Sequence, residues 1–343
     1  MPLNPALLAA GAHLDEAGRV LDFGHPADEL AALEHGVVVS PLTQFGFIRF
    51  SGEDSQVFLN GQLSSDVRAL GTEDMQYSSY STPKGRMLAS LLLLRDGEDY
   101  LLQLAAELLP AIQKRLSMYV LRSKTQASDA AAQWLALGLA GPGAGELAAK
   151  LIGGTLPETG HVLAGEALKV VALPGGRYQL LTSPTVAGAL WAKLVAHGAR
   201  PVGEPVWRLT EIRAGIPWVT GATQEQFVPQ MANLELIGAV NFTKGCYPGQ
   251  EIVARTQYLG KLKRRMLRAW VDAPAAAGQA VYSSEMNGQP SGQVLLAAPA
   301  PQGGSELLVV AQLSSLPHGL HLEQLDGPAL ALLSLPYPLE EAQ

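Results

Sequence analysis

The sequence predicts an α+β protein, with two α+β units followed by a small antiparallel β-barrel or sandwich. Three observations predict it. Short β-rich runs surround a single long helical pattern between residues 36 and 121. A comparable series of strands and helices recurs between 135 and 214, with no sequence repeat beneath it. After Leu262 only short strand-like segments remain, divided by Gly and Pro.

Residues 1–34 are rich in Ala, Leu and Asp, are broken by Pro26, and read as peripheral. Strands are predicted over 36–40 and 45–50, and Gly52-Glu53-Asp54-Ser55 opens a short helix carrying Val57, Phe58 and Leu59. The runs 73–81 and 86–94 flank the turn Pro83-Lys84-Gly85, and 100–104 is a further strand. Leu108, Ile112, Leu116 and Val120 share one helical face, with Pro110 near its start. The second unit reads as strand 135–139, helix 145–151, strands 168–173 and 178–182, and helix 185–195 with Ser183 as N-cap. Helix 207–214 then stops at Gly215 and Pro217. Strands 266–271, 279–283, 292–297, 307–313 and 330–333 complete the chain. The resulting boundaries are 1–130, 131–260 and 261–343.

With 343 residues, 48% hydrophobic and 16% charged, the chain can build a sizeable core and is not a disordered type. A net charge of −7 excludes a generally basic nucleic-acid binder, so any RNA contact must be local. No apolar run approaches the ~18 residues of a membrane span. The start Met1-Pro2-Leu3-Asn4-Pro5 does not resemble a signal peptide. The single cysteine excludes an internal disulfide and an iron–sulfur cluster held by several of the chain's own thiolates. None of the 7 histidines has metal-ligand spacing, so no metal site is expected. A reduced, cytoplasmic protein is the expectation.

The densest chemistry lies in Lys244-Gly245-Cys246-Tyr247-Pro248-Gly249-Gln250-Glu251. Pro248 suits a first helical turn, 250–258 reads as the helix, and Gly260 suits its stop. Cys246 then precedes a helix N-terminus, where free N–H groups favour an anion, and Lys244 adds a positive charge. That is the setting of a nucleophilic or redox-active cysteine; the alternative is a small buried hydrophobe. Glu251 and Arg255 are spaced to pair, or to aim Arg255 at an anionic ligand. Lys261, Lys263, Arg264, Arg265 and Arg268 form one basic cluster. It reads either as a site for an acidic partner or RNA, or as a solvated strand edge.

The octet resembles the signature of the YgfZ family. The resemblance extends through Gln226-Phe227-Val228-Pro229-Gln230, Asn233-Leu234 and Val253-Ala254-Arg255. Asn60-Gly61-Gln62-Leu63-Ser64-Ser65-Asp66-Val67 is similar to the family's first-domain motif, and Leu335-Pro336-Tyr337 to its C-terminal ending. That family resembles the aminomethyltransferase (T-protein) of glycine cleavage. The resemblance implies a T-protein-like folate-binding fold, with two α+β domains and a C-terminal β-barrel in a ring around a central site. It implies tetrahydrofolate or another reduced folate as cofactor. It also implies iron–sulfur enzymes, including tRNA-thiolating ones, as partners. Cys246 and Lys244 become the candidate catalytic pair. The family's two folate-associated aromatic positions fall on Phe45, where Trp is common, and Trp207, which could equally be core. Asn60, Phe227, Tyr247, Gln250, Glu251 and Arg255 are the further candidate folate contacts, and the basic cluster could hold a polyglutamate tail.

Two departures bear on chemistry. The T-protein has an acidic pair where this chain reads Gly85-Arg86-Met87-Leu88-Ala89-Ser90. Its glutamate before the Ala-Gly that ends the 207–214 helix is here Arg213. Glu211 lies two positions earlier, about 200° around the helix, on the face of Trp207. Either Glu211 binds a pterin in a changed pose or Arg213 meets a glutamate tail. Three functions compete: a folate-binding accessory protein for iron–sulfur enzymes, a folate-dependent aminomethyl or methyl transferase, and an RNA or protein adaptor. The missing acids weigh against the transferase.

Overall fold

The computed structural model describes residues 5–165, 167–258 and 262–339. Gly260 and Lys261, singled out above, lie outside the described residues.

Three sheets carry the molecule. In the first, the strands run in the order Met75–Ser81, Met87–Asp96, Asp99–Ala105, Phe45–Ser51 and Gln126–Asp129. All neighbours in it are antiparallel. Helix Leu109–Val120 packs behind, with Leu109, Ile112 and Leu116 buried as their spacing requires and Pro110 in its first turn. The second sheet orders Val162–Ala164, Leu168–Leu173, Arg177–Thr182, Leu135–Ala140, Val38–Pro41 and Arg200–Pro201, the last pair being parallel. The third is antiparallel and curls until its two edges meet, through Leu330 N–H to Leu320 O at 2.8 Å and Leu322 N–H to Pro328 O at 2.9 Å. It is a curled half-barrel, as the Gly- and Pro-divided strands suggested, and not a sandwich.

Three placements correct the sequence reading. Residues 26–35 form a helix, because Pro26 occupies its first turn, where no N–H is needed. Strand Val38–Pro41, assigned above to the first unit, pairs with Leu135–Ala140 in the second sheet. All four of its residues are buried, so it carries no one-sided pattern to announce its partner. Third, the segment after Gly215 leaves the second unit and lies on the first. Met87 N–H donates to Phe227 O at 2.9 Å, Glu225 N–H to Met87 O at 2.8 Å, and Asn241 N–H to Ser64 O at 2.9 Å.

Helix Glu204–Arg213 is the hub where the units meet. Pro205 starts it, and Val206, Trp207, Leu209 and Ile212 are buried. It ends at Gly215, whose φ of +64° favours glycine. The Tyr337 ring lies over Gly215 and its hydroxyl donates to Gly215 O at 2.7 Å, so the C-terminal motif locks this helix end. The first two sheets are also tied by a reciprocal amide pair between buried Gln103 and Gln179, at 3.1 and 2.6 Å.

Trp207 fits only because Gly138 faces it: a Cβ there would lie 2.4 Å from ring atoms Cε3 and Cζ3. Gly138→Ala should therefore lower the urea midpoint, by about 1–3 kcal/mol of stability at unchanged m value.

Candidate functional site

Two sequence motifs meet at Lys244. Its ammonium is buried and donates to the carbonyl oxygens of Asn60 at 2.6 Å, Leu63 at 2.7 Å and Ser65 at 2.6 Å. All three ammonium donors are thereby used. Burial pulls Lys244 down to about 8, Asp66 opposes the shift, and the three oxygens hold the charged form. The Tyr247 ring lies 5.1 Å from the ammonium, and its own hydroxyl is pushed up to about 12 by burial. The expected role of Lys244 as a charge serving Cys246 is corrected: it clamps the 60–65 loop. Asn60 is part of that loop, and its side-chain oxygen accepts from Val67 N–H at 3.1 Å.

The signature loop next crosses the first hairpin. Gly249 has φ +84°, and a Cβ there would come within 2.7 Å of Thr82 O and Gly85 Cα. Pro248 and Gly249 form a turn, and the helix proper is Gln250–Tyr258. Cys246 precedes that helix and is exposed, so it is not a core residue. Glu251 and Arg255 are exposed and make no ion pair with each other among the described residues. The Gln250 amide reaches Lys244 O at 3.5 Å. Phe227 and Tyr247 are buried scaffold.

A cavity of about 270 Å³ opens where the first sheet, helix Glu204–Arg213 and the third sheet converge. Phe45 and Trp218 form one wall, with ring centroids 4.5 Å apart, and Tyr77 meets Trp218 edge-on at 6.5 Å. Glu107, Glu204 and Glu211 also line it. Glu107 accepts from Gly221 N–H at 2.6 Å, and Glu204 is paired with Arg208. Glu211 accepts from Trp207 Nε1 at 3.0 Å, which places the two on one helical face. Burial pushes Glu211 up to about 8, with Glu204 adding to the shift and Arg177 opposing it. Burial thus favours the protonated carboxyl of Glu211, a form able to donate as well as accept.

The same lining holds polar atoms without partners. Gln44 Oε1, Gln44 Nε2 and Trp218 Nε1 are buried and unbonded. Such groups cost about 1–3 kcal/mol each when left unmet.

Of the proposed folate contacts, Phe45 and Glu211 line this cavity. Trp207 does not: it is core, packed on Gly138 with the Arg177 guanidinium 5.3 Å from its ring centre. Trp218 takes the wall position, and the sequence reading missed it because it follows the helix stop and carries no periodic signal. Arg213 is also elsewhere, bound to Glu34 and, at 2.9 Å, to Glu306. Cys246, Asn60, Phe227, Tyr247, Gln250, Glu251 and Arg255 are not among the cavity's lining residues. The linear basic cluster is dispersed too. Arg265 pairs with Glu235 and Arg268 with Glu306, on a strand that is interior at 268–271.

Comparison with known proteins places this geometry. A family model described as the GCVT N-terminal domain matches residues 16–161. A tRNA-modifying protein YgfZ from Edwardsiella ictaluri is 32% identical over 330 residues, covering 93% of this chain and 98% of the relative. The chain belongs to the YgfZ family. Another YgfZ, from Photorhabdus laumondii, is 31% identical and covers 88% of the chain and 92% of its own length. The Escherichia coli YgfZ is 27% identical over 92% and 98%. The fold of this YgfZ-family chain is that of the glycine cleavage aminomethyltransferase T of Bartonella henselae. That structure superposes with a TM-score of 0.82 at 19% identity, over 98% of this chain and 97% of the other.

Two outcomes check the site. Lys244→Met strands three carbonyls and should cost about 2–4 kcal/mol in urea unfolding, whereas Cys246→Ala, at an exposed position, should stay within about 0.5 kcal/mol. Unfolded Glu211 ionises near 4.5 but the folded carboxyl holds its proton to about 8, so the folded state binds the extra proton in that window and loses stability as pH rises through it. The Tm of Glu211→Gln, measured against the parent, should gain steadily across that range and level off above it.

Proposed function

We propose that this chain binds a reduced folate, tetrahydrofolate or a close relative, in the aromatic cavity, and supports tRNA modification through iron–sulfur enzymes. The observation that carries the folate reading is the unpartnered Gln44 amide beside the Phe45–Trp218 wall. A pterin is a flat heteroaromatic ring with donors and acceptors along one edge. A ring wall suits its face, worth about 0.5–1.5 kcal/mol beyond area burial for an aromatic pair. The Gln44 amide, Trp218 N–H and neutral Glu211 suit its edge. A folate supplies one-carbon chemistry when bound; the residues here bind and orient it.

Binding is favoured over transfer. Glu107 and Glu204 are committed to protein partners, burial pushes Glu211 toward its protonated form, and Gly85 to Ser90 supplies no carboxylate. The names of the relatives point to tRNA modification. Cys246, exposed on a loop anchored by Lys244, is the group offered to a protein partner. This reading includes a cytoplasmic setting, where a lone exposed thiol is kept reduced.

Tetrahydrofolate added to the protein should quench tryptophan fluorescence saturably, and Gln44→Leu should weaken binding about tenfold or more while leaving the fold intact. Unchanged fluorescence with no heat of binding would overturn the ligand. In cells lacking the protein, Cys246→Ala should fail to restore iron–sulfur enzyme activity; full rescue removes the thiol from the account.

A further inference from the structure

We infer that the groove between the first hairpin turn, the helix after Cys246 and the start of the third sheet is an RNA-backbone binding surface. The groove encloses about 630 Å³ and is lined by Lys84, Arg86, Arg255, Lys263 and Arg264, with no Asp or Glu in its lining. These cations come from two stretches far apart in sequence, 84–86 and 255–264, and only the fold brings them to one groove.

Charge elsewhere makes the groove distinctive. The chain carries 31 acidic and 24 basic residues, and Arg19, Arg49, Arg68, Arg208, Arg213, Arg265 and Arg268 all hold carboxylates. Among the described residues, none of the five groove cations forms an ion pair; Arg86 donates to a backbone carbonyl, that of Gln226 at 2.5 Å. In a protein with surplus acid, five unneutralised cations around one depression concentrate positive potential where a polyanion can lie.

The shape and chemistry select the polyanion. Three of the five are arginines, whose planar forks bind phosphate oxygens in pairs. The remaining lining is aliphatic or neutral, including Val228, Met231 and Ile252, with no aromatic platform for stacking bases. The groove therefore reads phosphates and not sequence. RNA is chosen over other phosphate polymers on the link to tRNA modification proposed above. The surface itself is separate from the aromatic cavity, with no lining residue in common.

The test is fluorescence anisotropy of a labelled tRNA transcript titrated with the full chain across a salt series. The variants are Lys263→Glu/Arg264→Glu and, on other segments, Lys84→Glu/Arg255→Glu. Wild type should bind, and each double variant should weaken binding at least tenfold. The slope of log K against log salt should become shallower by roughly two, about one per phosphate contact removed. Circular dichroism and tetrahydrofolate titration of the same variants should match wild type, which separates this surface from the folate site. Absence of tRNA binding by wild type, wild-type affinity in either folded double variant, or tighter binding of a poly-glutamate peptide than of tRNA would overturn the proposal.

Discussion

A buried ammonium surrounded by three backbone carbonyls is the constraint on which the signature loop depends. Lys244 reaches Asn60, Leu63 and Ser65, residues about 180 positions earlier in the chain. A buried charge without such partners would cost several kcal/mol. The ammonium therefore commits the loop to one position, and with it the exposed Cys246 and the following helix. Gly249 against Gly85 completes the grip by allowing two backbones to touch where no side chain fits.

The molecule separates two kinds of chemistry that the sequence places side by side. The thiol loop faces outward, while the aromatic cavity lies where the first sheet, the third sheet and helix Glu204–Arg213 converge. That helix packs the core on one side and lines the cavity on another. Trp207 fills the space above Gly138, and by bonding Glu211 it holds a carboxyl in the cavity wall. Burial favours its protonated form, which makes an acid a two-way hydrogen-bonding edge.

Arg213 shows how a substitution within a family can leave the site. The T-protein pattern has a glutamate at that position. Here the arginine turns to Glu306 and Glu34 and joins Arg268 in an ion-pair network that fastens the helix to the half-barrel. Glu211, about half a turn earlier on the same helix, is the carboxyl that lines the cavity. A residue two positions away lies on another helical face, so Glu211 is not a positional substitute for a carboxylate at 213.

The elements themselves were legible wherever a periodic pattern faced one core: Leu109, Ile112 and Leu116, the hairpin around Pro83-Lys84-Gly85, and the Gly-divided strands after Leu262. The signature and its family were also determined by the sequence, because those residues meet requirements local to the loop. What only the tertiary structure decided is which distant groups share a charge or a space. Strand Val38–Pro41 is buried on both faces and could not declare its sheet. Trp218 follows a helix stop with no pattern to mark it as a cavity wall. Arg265 and Arg268 looked like free cations until the fold gave them Glu235 and Glu306, and Lys84, Arg86 and Arg255 looked unrelated until it brought them to one groove. Periodicity encodes the face a residue presents; partnership depends on distance through space, which a chain acquires only when it folds.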